Sequence, residues 1–205
     1  MATISLSRVQ VLNDALRIIG SPLITNPDSA SEGARQSNGV FDRIVAQELS
    51  QNAWYFAKVQ ASLPADADAP LYKFARKFQL PGDFVRLIEI EGMWVFSSYH
   101  QPGSRVQELF EAQGSKLLTN FGAPLNITYL RNSGDDTSQW PAYFSTVVSA
   151  AIAKEIAEPL TKSAENTQVA ERAYKTAISN CARINAIQKA PVQAQDDSWI
   201  TSRFF

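Results

Sequence analysis

The chain has 205 residues, 45% hydrophobic and 19% charged, the composition of an ordinary globular protein with enough apolar side chain for a substantial core. Nineteen basic against twenty acidic residues leave a net charge of −1, so no global positive field draws in nucleic acid and a dedicated DNA binder is disfavoured. Cys181 is the only cysteine and His100 the only histidine, which excludes an internal disulfide framework and a cysteine-based zinc site and removes the usual players of histidine catalysis. Met1 to Ser7 lacks a basic flank followed by an apolar run, and no stretch approaches the roughly 18 apolar residues of a membrane span. A protein made and kept in cytosol is the expectation.

Val9, Leu12, Leu16 and Ile19 recur at helical spacing, with Ser7 and Gln10 as a capping box, so a helix is predicted over 7–19, stopped by Gly20. Ser21-Pro22 and Asn26-Pro27-Asp28 make the turn, and Ser29 with Glu32 reads as a second capping box. A helix over 30–53 then carries the stripe Phe41, Ile44, Val45 and Leu49 and leaves through Trp54, Tyr55 and Phe56, completing an antiparallel hairpin. From Phe56 to Asn132 proline and glycine are dense and the period shortens. Short strands are predicted at Phe74 to Leu80, Phe84 to Glu91, Glu108 to Glu111, Lys116 to Thr119 and Leu125 to Arg131, with Ala65 to Pro70 as an exposed loop.

Helix returns over 138–158, with Ser138 as N-cap, Pro141 in the first turn, and Tyr143, Val147, Ala150, Ala151 and Ile156 on one face. Pro159 is expected to break or kink it. Ser163 caps a last helix over 164–189, whose stripe is Val169, Tyr174, Ala177, Ile178, Cys181, Ile184 and Ile187. The fold class implied is α+β: N- and C-terminal helices forming a bundle, with an antiparallel β domain inserted. The divisions are 1–55, the N-terminal hairpin; 56–135, the β-rich insert; 136–191, the C-terminal helices; and 192–205, an extended tail.

A search for chemistry finds no phosphate-binding glycine loop, no nucleophile elbow, no zinc-protease helix and no calcium loop. His100 lies in a polar turn and reads as a solvated loop residue; Cys181 lies on an apolar helix face and reads as a buried hydrophobe. Carboxylate pairs could serve a glycosidase: Glu89 and Glu91 share a strand face, while Glu108 and Glu111 fall on opposite faces if extended. Alternation with Leu87, Ile88 and Ile90 makes half-exposed strands the stronger reading. Asp135-Asp136 and Asp196-Asp197 fit a capping loop and a solvated tail. Lys73, Arg76 and Lys77 interleave with Tyr72, Phe74 and Phe78 as in a nucleic-acid groove, but an amphipathic strand produces the same pattern. No catalytic, cofactor or metal residue is assigned.

The stretch from Val11 to Gly20, then Ser-Pro-Leu-Ile-Thr25, Ser-Glu-Gly-Ala-Arg35, Leu49 and Asn52-Ala-Trp54-Tyr-Phe56, resembles the tail tubular protein A family of podoviruses, the head-to-tail adaptors of short-tailed phages. Leu80-Pro81-Gly-Asp83-Phe84-Val-Arg86-Leu87 looks like a Leu-Pro-x-Asp-Phe element common in such proteins. The resemblance is strongest over roughly residues 8–90. It implies a non-enzymatic virion protein of the tail, made in the host cytoplasm and assembled as a dodecameric homo-oligomeric ring. Its partners would be the portal protein, the tail nozzle protein and the double-stranded DNA passing through the ring, without sequence-specific contact, cofactor or membrane. A near-zero net charge suits a channel through which DNA slides. A tail-associated glycan-degrading hydrolase and a DNA-stabilising packaging accessory are the alternatives. In the tail, Trp199, Ile200, Phe204 and Phe205 with Arg203 form the expected partner-docking segment, because so much apolar surface is costly to leave in water.

Overall fold

The computed structural model describes residues 6–95, 110–133 and 136–188. The chain order is α1 (Arg8–Ile18), α2 (Glu32–Gln51), β1 (Lys58–Leu63), β2 (Arg76–Gln79), β3 (Phe84–Ile90), β4 (Met93–Trp94), β5 (Phe110–Gln113), β6 (Lys116–Thr119), β7 (Leu125–Arg131), α3 (Ala142–Thr161) and α4 (Ala164–Ile187), with 3-10 turns at Tyr55–Ala57 and Thr137–Gln139. The fold is α+β. Helices from both ends of the described chain pack together, and an antiparallel β region stands between them in sequence.

Local signals set the helix starts. Ser7 caps α1 as a full capping box with Gln10, and Gly20 comes after the helix at φ +68, a conformation glycine enters without steric cost. The cap of α2 is Ser31, whose hydroxyl accepts from the Ala34 N–H; Ser29 instead hydrogen-bonds the Ser31 hydroxyl at 3.0 Å, so the expected box at Ser29 and Glu32 gives way to a cap two residues later. Ser138 belongs to the 3-10 turn rather than to α3, which starts after Pro141. Pro159 does not break α3 where expected. It lies in the last turn, where its missing N–H costs one bond near the end, and the helix stops at Thr161 with Lys162 left-handed at φ +49.

α3 lies against α1, α2 and α4 and is apolar nearly all round, as the central helix of a bundle must be. Its alanines, Ala151, Ala153 and Ala157, let neighbouring helices approach, and Ser149 hydrogen-bonds the Val11 carbonyl of α1 at 3.0 Å across the crossing. Flat rings fill the junction with the β region. Trp140 stacks on Phe41 at 6.0 Å and meets Phe144 edge-on at 5.0 Å, while Trp54 meets Phe144 edge-on at 5.2 Å. The outer helix α4 covers itself less fully than its stripe suggests, since Val169, Ile184 and Ile187 are exposed.

Two antiparallel sheets, ordered β1-β7-β3-β4 and β2-β6-β5, make up the β region. Pairing of β1 with β7 puts Lys58 opposite Leu130, so the insert leaves the bundle and returns to it at one place. The first sheet serves two cores. Leu125, Ile127 and Tyr129 alternate towards the second sheet and meet Phe78, Leu80 and Leu117, whereas Leu130 and Ile88 pack into the helical core. Adjacent Leu87 and Ile88 point to opposite faces and so serve different cores, while the register shift between Leu87 and Glu89 lets Leu87 and Ile90, three residues apart, both join the β core.

Candidate functional site

The residues singled out in sequence do not converge on one site. Glu89, on β3, accepts a hydrogen bond from the Thr128 hydroxyl at 3.3 Å. Strand β3 ends at Ile90, and Glu91 sits in the turn at φ +47, accepting from the Asn126 backbone N–H at 2.7 Å. Both carboxylates therefore reach one face of β7. With Gln60, Ser62, Asn126 and Thr128, Glu89 lines a shallow concavity of about 430 Å³ on the outer face of the first sheet. Glu111 is remote from them, on β5, where the Gln113 amide and the Lys73 ammonium hold its carboxyl below the usual range. His100, Glu108, Asp135 and the docking segment Trp199, Ile200, Arg203, Phe204 and Phe205 lie outside the described residues.

The basic and aromatic run of β2 does not form a cationic groove. Phe74 and Phe78 are buried, Lys73 pairs with Glu111 at 2.9 Å and Lys77 approaches Asp68 at 3.9 Å, while Arg76 donates to the Phe121 carbonyl at 3.0 Å. Lys116, beside them, holds Asp66 at 2.6 Å. A phosphate backbone would have to displace these carboxylates one by one. Among the described residues no group of three or more His, Cys, Asp or Glu could hold a metal ion, and no helix is long and apolar enough to cross a membrane.

Among the described residues the one buried carboxyl is Glu48, on α2, 2% exposed within the bundle. Tyr174 of α4 donates its hydroxyl to Glu48 Oε1 at 2.9 Å, and among the described residues Oε2 has no hydrogen-bond partner. Burial pushes the Glu48 carboxyl above its ordinary value, against the opposing effects of the Tyr174 hydrogen bond and the Lys154 charge. The same cluster acts on its neighbours: burial and Glu48 push the Tyr174 hydroxyl up to about 12 and the buried Cys181 thiol up to about 12. A thiol held protonated in this way is inert, as expected of a buried small hydrophobe. Glu48 is absent from the residues singled out in sequence, although a signal is there. It falls seven residues after Phe41, on the stripe itself, where a carboxylate has no place unless something answers it.

The cluster ties helices together rather than opening onto a substrate. Glu48 also accepts the Trp54 indole N–H through its backbone carbonyl at 2.7 Å, fixing the chain where it leaves the bundle for the β region. Asn185, near the end of α4, clamps the same exit, accepting from the Tyr55 N–H at 3.0 Å and donating to the Ala53 carbonyl at 2.9 Å. Compared with known protein families and with curated proteins, the chain matches no family model and no curated sequence.

Proposed function

We propose that this chain is a structural virion protein, the head-to-tail adaptor subunit that joins a phage portal to the tail nozzle and lines part of the DNA channel as a ring. One observation carries the reading most: helices from both ends of the chain close into a single bundle around Trp140 and Glu48, and the β insert leaves and re-enters at one point. This is the architecture that the resemblance to the tail tubular protein A family implies. Such a bundle presents a rigid body that can be repeated around a ring, with the insert free to make a second set of contacts. Neutralisation of Lys73, Lys77 and Lys116 by Glu111, Asp68 and Asp66 supports a surface that does not grip passing DNA.

In this reading the segment Trp199 to Phe205 docks on the portal or on a neighbouring subunit, with Trp199, Ile200, Phe204 and Phe205 as apolar anchors and Arg203 beside them. Electron microscopy of portal-bearing heads incubated with the purified chain tests the proposal. A ring of added density at the portal vertex is expected, and heads that remain bare at saturating protein would end it. Removing residues 196–205 is expected to prevent attachment while leaving the melting temperature of the free subunit nearly unchanged.

A further inference from the structure

Past Glu171 the outer helix α4 changes character. From Arg172 to Gln188 the chain carries Arg172, Lys175 and Arg183 and no acidic residue, and among the described residues no carboxylate pairs with any of the three. On α1 and α2, by contrast, Arg8, Arg17, Arg35 and Arg43 each meet a carboxylate. Two large apolar side chains stand in water beside the cations, Ile184 at 45% exposure and Ile187 at 82%. Arg183 and Ile187 are four residues apart and so lie on one outward face, with Ile184 at its edge. That face is fixed in place. Asn185 is bonded to the Ala53 carbonyl and the Tyr55 N–H, and the Gln188 amide donates to the Tyr143 hydroxyl at 3.1 Å, so covering the face costs little further ordering.

The C-terminal segment has matching chemistry. Asp196 and Asp197 come just before Trp199 and Ile200, charge first and large apolar side chains after it. Spacing agrees. Along the helix Arg183 and Ile187 are about 6 Å apart, and in an extended segment Asp197 and Trp199 are about 7 Å apart. Direction decides which copy provides the segment. A tail folding back on its own α4 runs from Ile187 towards Arg172, so its aspartates would reach the isoleucines first and Trp199 would fall among the cations. A tail arriving from another copy can run the same way as α4, with Asp197 at Arg183 and Trp199 at Ile187. Residues 189–198 can span about 33 Å, close to the length of α4 itself, about 36 Å, so a neighbouring copy is within reach.

We propose that the C-terminal segment of one copy docks on the α4 face of the next, Asp197 pairing with Arg183 while Trp199 and Ile200 pack against Ile184 and Ile187. Arm and face are unlike surfaces carried by every copy, the heterologous contact that closes a ring when the rotation between copies allows it. The contact rests on the adaptor reading for that ring, and it makes the neighbour's α4, rather than the portal, the surface that the segment meets. A polyanion such as duplex DNA would answer the cations but leave Ile184 and Ile187 in water, which favours the arm.

Sedimentation equilibrium of the full chain, from about 1 µM to about 500 µM, tests it with a charge exchange, Arg183→Glu and Asp197→Arg. Each variant alone is expected to weaken self-association about tenfold or more, as is Ile187→Ser, with the wild-type circular dichroism kept. Mixing the two charge variants should restore association, because the intact tail of the first meets the intact Arg183 of the second; a chain carrying both substitutions should regain it as well. A chain that stays monomeric throughout, single variants that associate like wild type, or a mixture no tighter than its components would each overturn the proposal. So would a short DNA duplex whose binding is lost in Arg183→Glu while self-association is unmoved. The adaptor reading fails separately: portal-bearing heads that stay bare while the exchange restores self-association end that reading, whereas added density at the vertex with self-association unmoved by the exchange ends this contact alone.

Discussion

The helical core and the β core bury apolar surface with different materials. Trp54, Trp140, Phe41 and Phe144 fill the helical core together with alanines that let backbones approach, and it also contains buried polar groups, Glu48, Ser37, Ser145 and Ser149. The β core is made of Leu63, Phe78, Leu80, Leu87, Ile90, Leu117, Leu125 and Ile127 with one tyrosine, and its charges sit at the rim as ion pairs. Helix crossings leave room for polar side chains that link two elements, whereas the two-sheet stack relies on ladder bonds and buries fewer polar side chains, Thr119 and the Tyr129 hydroxyl that donates to Asp83 at 2.9 Å. The difference locates specificity: the bundle is fixed by particular contacts such as Ser149 to Val11 and Tyr174 to Glu48, the β region by pattern.

The largest effects should come from removing one ring from each core. Trp140→Ala and Phe78→Ala are each expected to cost about 3–5 kcal/mol in denaturant unfolding. Because the sheet β1-β7-β3-β4 contributes to both cores, Trp140→Ala should also accelerate hydrogen exchange of the β6 amides at Leu117 to Thr119. Exchange there at the wild-type rate would mean that the two cores unfold independently. Leu130→Ala, on the face that β7 turns to the helices, is expected to cost about 2–5 kcal/mol and to move helical and β signals together, which midpoints from circular dichroism and from exchange would reveal if they diverged.

Legibility in the sequence depends on whether the signal is local. The α1 box at Ser7 and Gln10, the Ser163 cap and the strands from Phe84 and from Leu125 can be read directly, since each rests on neighbours in sequence. Strand β1, Lys58–Leu63, is not among the predicted strands: its inward positions Val59 and Ala61 are small, and the 3-10 turn at Tyr55–Ala57 gives no glycine or proline to mark its start. Trp140 gives no local sign of being a centre, and Glu48 only that of a carboxylate on an apolar stripe, because their importance lies in long-range partners, Phe41 and Tyr174. The stripe of α4 misleads in the other direction. Val169, Ile184 and Ile187 keep helical spacing, but the bundle covers only the sector containing Ala170, Ala177 and Cys181. The concavity around Glu89 joins residues from three strands, and only register could bring them together.

The buried polar link of the bundle has a pH signature in the carboxylate range. Because burial raises the Glu48 carboxyl, the folded state penalises its ionised form. At pH below the ordinary carboxylate range, Glu48 is protonated folded and unfolded, and no penalty arises. As pH rises through that range the unfolded chain ionises first, so stability falls until the folded carboxyl loses its proton at its raised value, and the loss is constant above it. Glu48→Gln removes the titration. Its melting temperature relative to wild type should therefore rise as pH increases through the ordinary carboxylate range and level off once the folded carboxyl has ionised. A difference that stays flat across this window would show that Glu48 ionises in the fold as it does in water.

The smallest effects belong to the ion pairs, and they compare the two regions most directly. Arg43 of α2 and Glu155 of α3 meet at 2.6 Å on the bundle surface, with 55% and 47% of their side chains exposed. Lys116 and Asp66, also at 2.6 Å, are only 37% and 23% exposed at the β rim. Geometry is equal, so solvent decides. An exposed pair gains little Coulomb energy in high dielectric and loses side-chain entropy on being held, and double-mutant cycles at such sites give about 0.2–1 kcal/mol. Better shielding of the second pair raises its Coulomb attraction, and Asp66 also sits where its own N–H donates to the Lys77 carbonyl at 2.9 Å, so its backbone is already ordered. The Lys116/Asp66 cycle should accordingly give the larger coupling, near the top of that range, and lose less of it on going from about 0.1 M to about 1 M salt, where the screening length falls from about 10 Å to about 3 Å. Equal couplings with equal salt dependence would mean that the β rim is as open to water as the bundle surface.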